Sequence, residues 1–197
     1  MWLEAEEKLL KDKYIGPLIK KYGHCRIKKS PRTKYFTDLV ESITSQQLSG
    51  KAASTIFNRV MSLCKKVIDP HRILTLEDEK LRKAGLSYAK IRYIKDLSRQ
   101  ITKGELNLNK LDRLSDEEVI QNLIRVKGIG RWTAEMFLMF SLARPDVFPV
   151  DDLGIKKGFE KATEKKPDKE EMFSFSQKRW SPHRTAASWY LWRSLEN

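Results

Sequence analysis

Residues 125–132 read Arg-Val-Lys-Gly-Ile-Gly-Arg-Trp, two glycines astride one isoleucine with a helical pattern on either side. A glycine inside a helix costs about 1 kcal/mol against alanine, so a pair of them marks a turn that the fold needs. Upstream, Ser115-Asp116-Glu117-Glu118 has the form of a capping box, and Leu114 and Val119 stand where a hydrophobic staple would close it. Val119, Ile120, Leu123 and Ile124 then make one apolar face, which predicts a helix ending at Gly128. Downstream, residues 131–143 are apolar on nearly every side and predict a buried helix. The product is a helix, a Gly-Ile-Gly turn and a second helix.

Such a turn leaves amides unobstructed. The amides of Gly128 and Gly130, with the first turn of the next helix, form a concavity of partial positive charge that suits a phosphate oxygen. Lys127 and Arg131 add full charges, and Ile129 is placed to anchor the turn from beneath. A grip of this kind holds a nucleic-acid backbone without reading its bases.

The charge balance agrees. Lys and Arg number 39 against 26 Asp and Glu, a net charge of +13 that favours polyanions, nucleic acid before an anionic membrane. Two cysteines, Cys25 and Cys64, are too few for a four-cysteine zinc or iron–sulfur site and fit a reducing compartment. His24, His71 and His183 have no metal-ligand spacing. The first sixteen residues are charged and amphipathic, unlike a signal peptide or a membrane span. A cytoplasmic location is expected, or a nuclear one in a eukaryote.

Elsewhere the pattern is helical nearly throughout. Helices are predicted at 3–13, 35–46, from residue 51, at 77–84, 87–102, from about 153, after Pro167 and at 184–195, with a basic connector at 24–34 and no convincing strand. Asp151-Asp152 follows Pro149-Val150 at a helix start, where either carboxylate could serve as N-cap.

From residue 126 to 159, VKGIGRWTAEMFLMFSLARPDVFPVDDLGIKKGF, the chain resembles the helix-hairpin-helix (HhH-GPD) DNA glycosylase superfamily. The segments GIGRWTA, PVDD, WSPHRTAASWYLWR (180–193), ESITSQQLSGKAASTIF (41–57) and AGLSYAKIRYIKDL (84–97) look most like its 3-methyladenine DNA glycosylase II, or AlkA-type, branch. The resemblance implies an all-α fold of two helical subdomains with a cleft between them and no N-terminal sheet domain. Residues 35–143, including the hairpin 126–131, would form the central subdomain; 1–34 with 144–197 would form the second. The family's usual hairpin proline is Lys127 here.

The same resemblance assigns roles. Asp152 is the catalytic carboxylate; Trp132 and Trp192 fall at base-pocket positions, with Tyr35, Phe36, Trp180 and Trp189 candidates by type only. Gln47 and Leu48 probe the duplex, Leu48 as the wedge that fills the space of an extruded base, while Ser49, Gly50 and Lys51 meet the backbone. Family members that also nick the strand carry a lysine two residues after the second hairpin glycine. Trp132 stands there, which implies base release without lyase activity. No cofactor is required and no iron–sulfur cluster is implied. A sodium or potassium ion on the main-chain carbonyls of Ile124, Val126 and Ile129 is expected by analogy.

The implied activity is monofunctional hydrolysis of the N-glycosidic bond of alkylated purines, 3-methyladenine and 7-methylguanine, in double-stranded DNA. The protein would act as a monomer, without a membrane, upstream of an AP endonuclease. Two other readings share these motifs: a glycosylase for uracil, hypoxanthine or oxidised guanine, and a non-enzymatic DNA-binding or damage-sensing protein. A carboxylate at residue 152 separates enzyme from binder, since an acid beside phosphates only weakens a pure binder.

Overall fold

The computed structural model describes residues 2–166 and 168–196, so Pro167, the expected helix boundary, lies outside the described residues. Among the described residues the regular structure is helical, and the chain divides into two compact units, Ser30–Phe137 and Met1–Lys29 with Leu138–Asn197.

The Ser30–Phe137 unit holds α3 (Tyr35–Ser45), α4 (Gly50–Leu63), α5 (Pro70–Thr75), α6 (Asp78–Lys83), α7 (Tyr88–Thr102), α8 (Asp116–Leu123) and α9 (Arg131–Met136). Side-chain oxygens start most of them. Ser49, Asp69 and Ser87 accept the amides of Ala52, Arg72 and Lys90, and Ser115 forms the expected capping box with Glu118. Leu39, Ile43, Val60, Ile73, Leu81, Ile91, Ile94 and Leu123 are fully buried at helical spacing, which makes one core of these short helices.

The other unit begins with α1 (Leu3–Leu9) and α2 (Ile15–Tyr22) and is completed by α10 (Leu153–Thr163), α11 (Lys169–Trp180) and α12 (Arg184–Arg193). Phe148, Phe159, Phe175 and Trp180 meet at ring-centroid distances of 5.1–5.8 Å in tilted and edge-on contacts. Ile15, Ile155, Tyr190 and Leu191 complete the core.

The sequence patterns run short in several places. The helix expected at 3–13 stops at Leu9, and a separate helix covers Ile15–Tyr22. Short elements at Arg32–Lys34, Pro70–Thr75 and Leu108–Arg113, of one to two turns, are too brief for a helical period to reveal. The helix expected over 131–143 ends at Met136; Phe137–Ser141 wind as a wider π turn closed by the amide of Arg144 donating to the carbonyl of Leu138, and Ala143 adopts φ +52°. The expected boundaries at 34/35 and 143/144 are therefore replaced by 29/30 and 137/138. Ala143 belongs to the same hydrophobic cluster as α10 and α12, so the chain changes core inside the run that looked like one helix. No helix among the described residues is long and apolar enough to cross a membrane.

Candidate nucleic-acid interface and carboxylate site

The hairpin between α8 and α9 is built around two glycines with different jobs. Gly128 has φ +84°, a left-handed conformation that disfavours any side chain, and a Cβ there would fall 2.1 Å from the Tyr93 ring. The fold itself demands that glycine. Gly130 has φ −91° and ψ 175°, ordinary extended backbone, and an added Cβ would meet nothing within 4 Å. Nothing inside the protein asks for glycine at 130. Val126 and Ile129 are buried beneath the turn as its anchors, and Ile129 donates its amide to the carbonyl of Val126. The amide of Lys127 donates to Asp96, 3.0 Å away, which fixes the entry strand of the turn while the Lys127 side chain stays exposed.

Arg131 has other work than the sequence suggested. Its guanidinium donates to both oxygens of Glu117 at 3.4 and 3.0 Å and lies 3.3 Å from Glu135. The hydrogen bonds from Arg131 hold the Glu117 carboxyl below the usual range. This pairing ties α8 to α9 across the hairpin.

Between α3 and α4 runs the short loop Gln46–Ser49. Gln47 has φ +58°, an uncommon conformation for a side chain of that size, and Gln47 and Leu48 are exposed, Leu48 by 39%. Ser49 caps the fourteen-residue α4, which places Gly50 and Lys51 in its solvent-facing first turn. Gln46, Gln47 and Leu48 share an open pocket of about 430 Å³ with Trp132 and Thr133 of α9. Trp132 thus sits beside the Gln46–Ser49 loop, with 39% of its surface exposed.

Asp152, in the other unit, is the N-cap of α10. Its Oδ1 accepts the amide of Ile155 at 2.8 Å and the indole Nε1–H of Trp192 at 2.8 Å. Trp192 lies in the last turn of α12, and its ring stacks on Phe140, centroids 5.9 Å apart with 29° between the planes. Gly154 makes the bond geometrically allowable, since a Cβ there would sit 2.8 Å from Trp192 Cδ1 and 3.0 Å from Asp152 Oδ1. Asp151 is exposed and pairs with Lys169, so the two neighbouring carboxylates differ in kind: one faces a surface lysine, the other is locked by a helix and an aromatic ring.

The predicted site residues therefore fall into two groups. Gln47, Leu48, Ser49, Gly50, Lys51, Trp132 and the hairpin belong to the Ser30–Phe137 unit; Asp152 and Trp192 belong to the other. Of the aromatics proposed by type alone, Tyr35, Phe36 and Trp180 are buried core, and Trp189 is half-buried with its ring edge-on to Tyr190. Phe140 was missed. It is the one exposed side chain in the apolar run FLMF, 41% accessible where Phe137, Leu138 and Met139 are buried, because the π turn shifts it off the core face. Gln46 and Lys90 were also missed, for lack of any motif in a single glutamine or lysine.

The sequence pattern of the HhH-GPD superfamily of base excision DNA repair proteins matches residues 40–182. The chain is 39% identical to DNA-3-methyladenine glycosylase 1 of Schizosaccharomyces pombe over 90% of its own length and 80% of the relative's. It is 36% identical to DNA-3-methyladenine glycosylase of Saccharomyces cerevisiae over 99% and 71%. The structure of the S. pombe 3-methyladenine DNA glycosylase in complex with abasic DNA superimposes with a TM-score of 0.89 at 36% identity, covering 98% of this chain and 97% of that one. A DNA-3-methyladenine glycosidase from Bacillus halodurans gives a TM-score of 0.86 at 36% identity, with 99% and 90% covered. Matched over residues 40–182 and superimposing on these relatives along nearly its whole length, this chain belongs to the HhH-GPD superfamily of base excision DNA repair proteins.

Proposed function

We propose that the protein is a monofunctional DNA glycosylase that turns alkylated purines, 3-methyladenine and 7-methylguanine, out of duplex DNA and hydrolyses their N-glycosidic bond. The observation that carries this reading is the Asp152 carboxylate, held at the start of α10 by the Ile155 amide and the Trp192 indole. An alkylated purine already bears positive charge. Its bond to C1′ breaks with the electron pair leaving on the base, which departs neutral, and positive charge grows on the deoxyribose. An anionic oxygen pair stabilises that charge, and water adds to C1′ with loss of a proton. A leaving group of this kind needs no general acid, and Trp132 at the strand-nicking lysine's position supports hydrolysis without lyase chemistry.

Trp192 and the Phe140 stacked on it present an aromatic surface, and a cationic base is drawn to a π face. Trp192→Phe keeps the ring and deletes the donor to Asp152. Release of 7-methylguanine should slow about tenfold, the worth of one charge-assisted hydrogen bond, with thermal stability nearly unchanged. A wild-type rate would make Trp192 a wall and nothing more.

DNA is held through the hairpin amides and Lys127, with Ser49, Gly50 and Lys51 on a second stretch of backbone. The openness around Gly130 supports this, since a glycine unneeded by the fold is explained by a ligand's close approach. Gly130→Ala should leave the melting temperature within a few degrees, weaken binding to all DNA sequences about tenfold, and flatten the salt dependence by roughly one phosphate contact. Loss of stability with unchanged affinity would return Gly130 to the role of an ordinary turn residue.

A monovalent cation on the carbonyls of Ile124, Val126 and Ile129 belongs to the same reading. Ile124 is the C-cap of α8, where helix carbonyls run out of amide partners, and Val126 keeps a lone pair beyond the one that accepts Ile129. Sodium or potassium there would supply positive charge toward a DNA phosphate.

One assay tests the substrate class. Methylated, uracil-containing and oxidised DNA are each incubated with the protein, and the free bases are identified by mass spectrometry. Methylpurines should dominate, with no strand nicking; release of uracil or an oxidised purine alone would move the protein to another lesion.

A further inference from the structure

The probing loop and the phosphate-gripping hairpin lie far apart in sequence, Gln46 and Gly128 being 82 residues apart, yet one side chain joins them. Gln46 Nε2 donates to the carbonyl of Gly128 at 2.9 Å and lies 3.4 Å from Thr133 Oγ1. The orientation of the amide follows from chemistry, because a backbone carbonyl accepts only and must face the NH₂ end. From the opposite side, Lys90 of α7 reaches the end of α3 and donates to the carbonyls of Thr44 at 2.7 Å and Gln46 at 2.6 Å. These are carbonyls at the C-terminal end of a helix, the end of its dipole where a cation is most favoured. Burial holds the Lys90 ammonium below its usual range.

Gln46 is therefore pinned by its backbone to α7 and by its side chain to the hairpin. The next two residues are the left-handed Gln47 and the exposed Leu48. A residue with φ +58° persists only where its neighbours over-determine it, and the two pins are what surround this one. We propose that Gln46 and Lys90 are positioning residues that fix the height and angle of the Leu48 wedge relative to the hairpin, so that gripping the backbone and prying open the duplex occur in one register. The inference rests on the reading of Leu48 as the wedge. Its mechanical content is specific. Without the Gln46 bond the loop can relax away from the duplex while the hairpin still holds phosphate.

The test uses the full-length protein and Gln46→Met, which preserves side-chain length and removes the amide that donates to Gly128. Single-turnover release of 7-methylguanine is measured at saturating enzyme on three DNAs: a fully paired duplex, the same lesion opposite an abasic analogue, and a single strand. About a tenfold loss is expected on the paired duplex, with less than about a twofold change where no pairing must be broken. Affinity for undamaged DNA and the melting temperature should hold. In a Leu48→Ala background, Gln46→Met should add nothing. Lys90→Met should behave like Gln46→Met, and Lys90→Arg, which keeps donors, should recover most of the rate. Equal losses on all three DNAs, or additive losses with Leu48→Ala, would overturn the proposal. If the unmodified protein releases no methylpurine at all, the proposed function fails instead. Fluorescence of 2-aminopurine opposite the wedge, which reports extrusion without bond cleavage, then decides the positioning role independently: an unchanged signal in Gln46→Met overturns it.

Discussion

Asp152→Asn should cut release of 3-methyladenine and 7-methylguanine by about 10²- to 10³-fold, the usual cost of removing one preorganised electrostatic group from a transition state. The fold should hardly notice. An asparagine amide oxygen can take the place of Oδ1, accept the amide of Ile155 and the indole of Trp192, and cap α10 nearly as well as aspartate does. What is lost is charge. DNA affinity should stay equal or rise, because a negative group near phosphates has been removed. Measurement of single-turnover release alongside binding to an uncleaved duplex separates the two quantities. A variant that keeps full activity would remove Asp152 from the chemistry.

The second large effect concerns stability. Glu6 on α1 is buried, yet its carboxylate accepts from the amide of Cys25 at 2.6 Å and the hydroxyl of Tyr190 at 2.8 Å and bonds His24 Nδ1 at 2.7 Å. Burial works against its charge, but the hydrogen bonds from His24, Cys25 and Tyr190 together outweigh it and hold the carboxyl below its usual range. Glu6→Ala strands the Cys25 amide and takes away the carboxylate shared by His24 and Tyr190, although the Tyr190 hydroxyl keeps the carbonyl of Gly23 at 2.8 Å and His24 is exposed to water; it should cost about 3 kcal/mol, the upper end for a buried donor left unsatisfied. For a chain of this size that lowers the melting temperature by roughly 6–12 °C. The pH dependence follows from the sign of the shift. A depressed carboxyl contributes stability above its unfolded value near ~4.3 and loses that contribution as pH falls through the folded value. Acid unfolding should therefore set in less steeply in Glu6→Ala than in the parent. Equal acid profiles, or a melting temperature within about 2 °C of the parent, would show that the cluster does not hold α1 and α12 together.

Much of this molecule is written locally. The capping box at Ser115–Glu118, the apolar faces of α3, α7 and α8, and the glycine pair at 128 and 130 are short-range signals, each set by covalent geometry or by a hydrogen bond three residues away, and all of them reappear in the structure. Asp152 as a helix N-cap is of the same kind. What the residue string did not contain is partnership across long separations. That Gly128 is needed for the Tyr93 ring while Gly130 is not, that Arg131 spends its charge on Glu117 and Glu135, that Trp192 donates to Asp152 from forty residues away, and that Gln46 reaches Gly128 all depend on how helices pack. The run 131–143 shows the limit most plainly. Its uniform apolarity predicts burial on every side, whereas the folded chain opens into a π turn there and leaves Phe140 exposed. Local hydrogen bonding and side-chain periodicity decide which helices form; the choice of which faces meet is a global minimum over the whole chain, and the site is made by that choice.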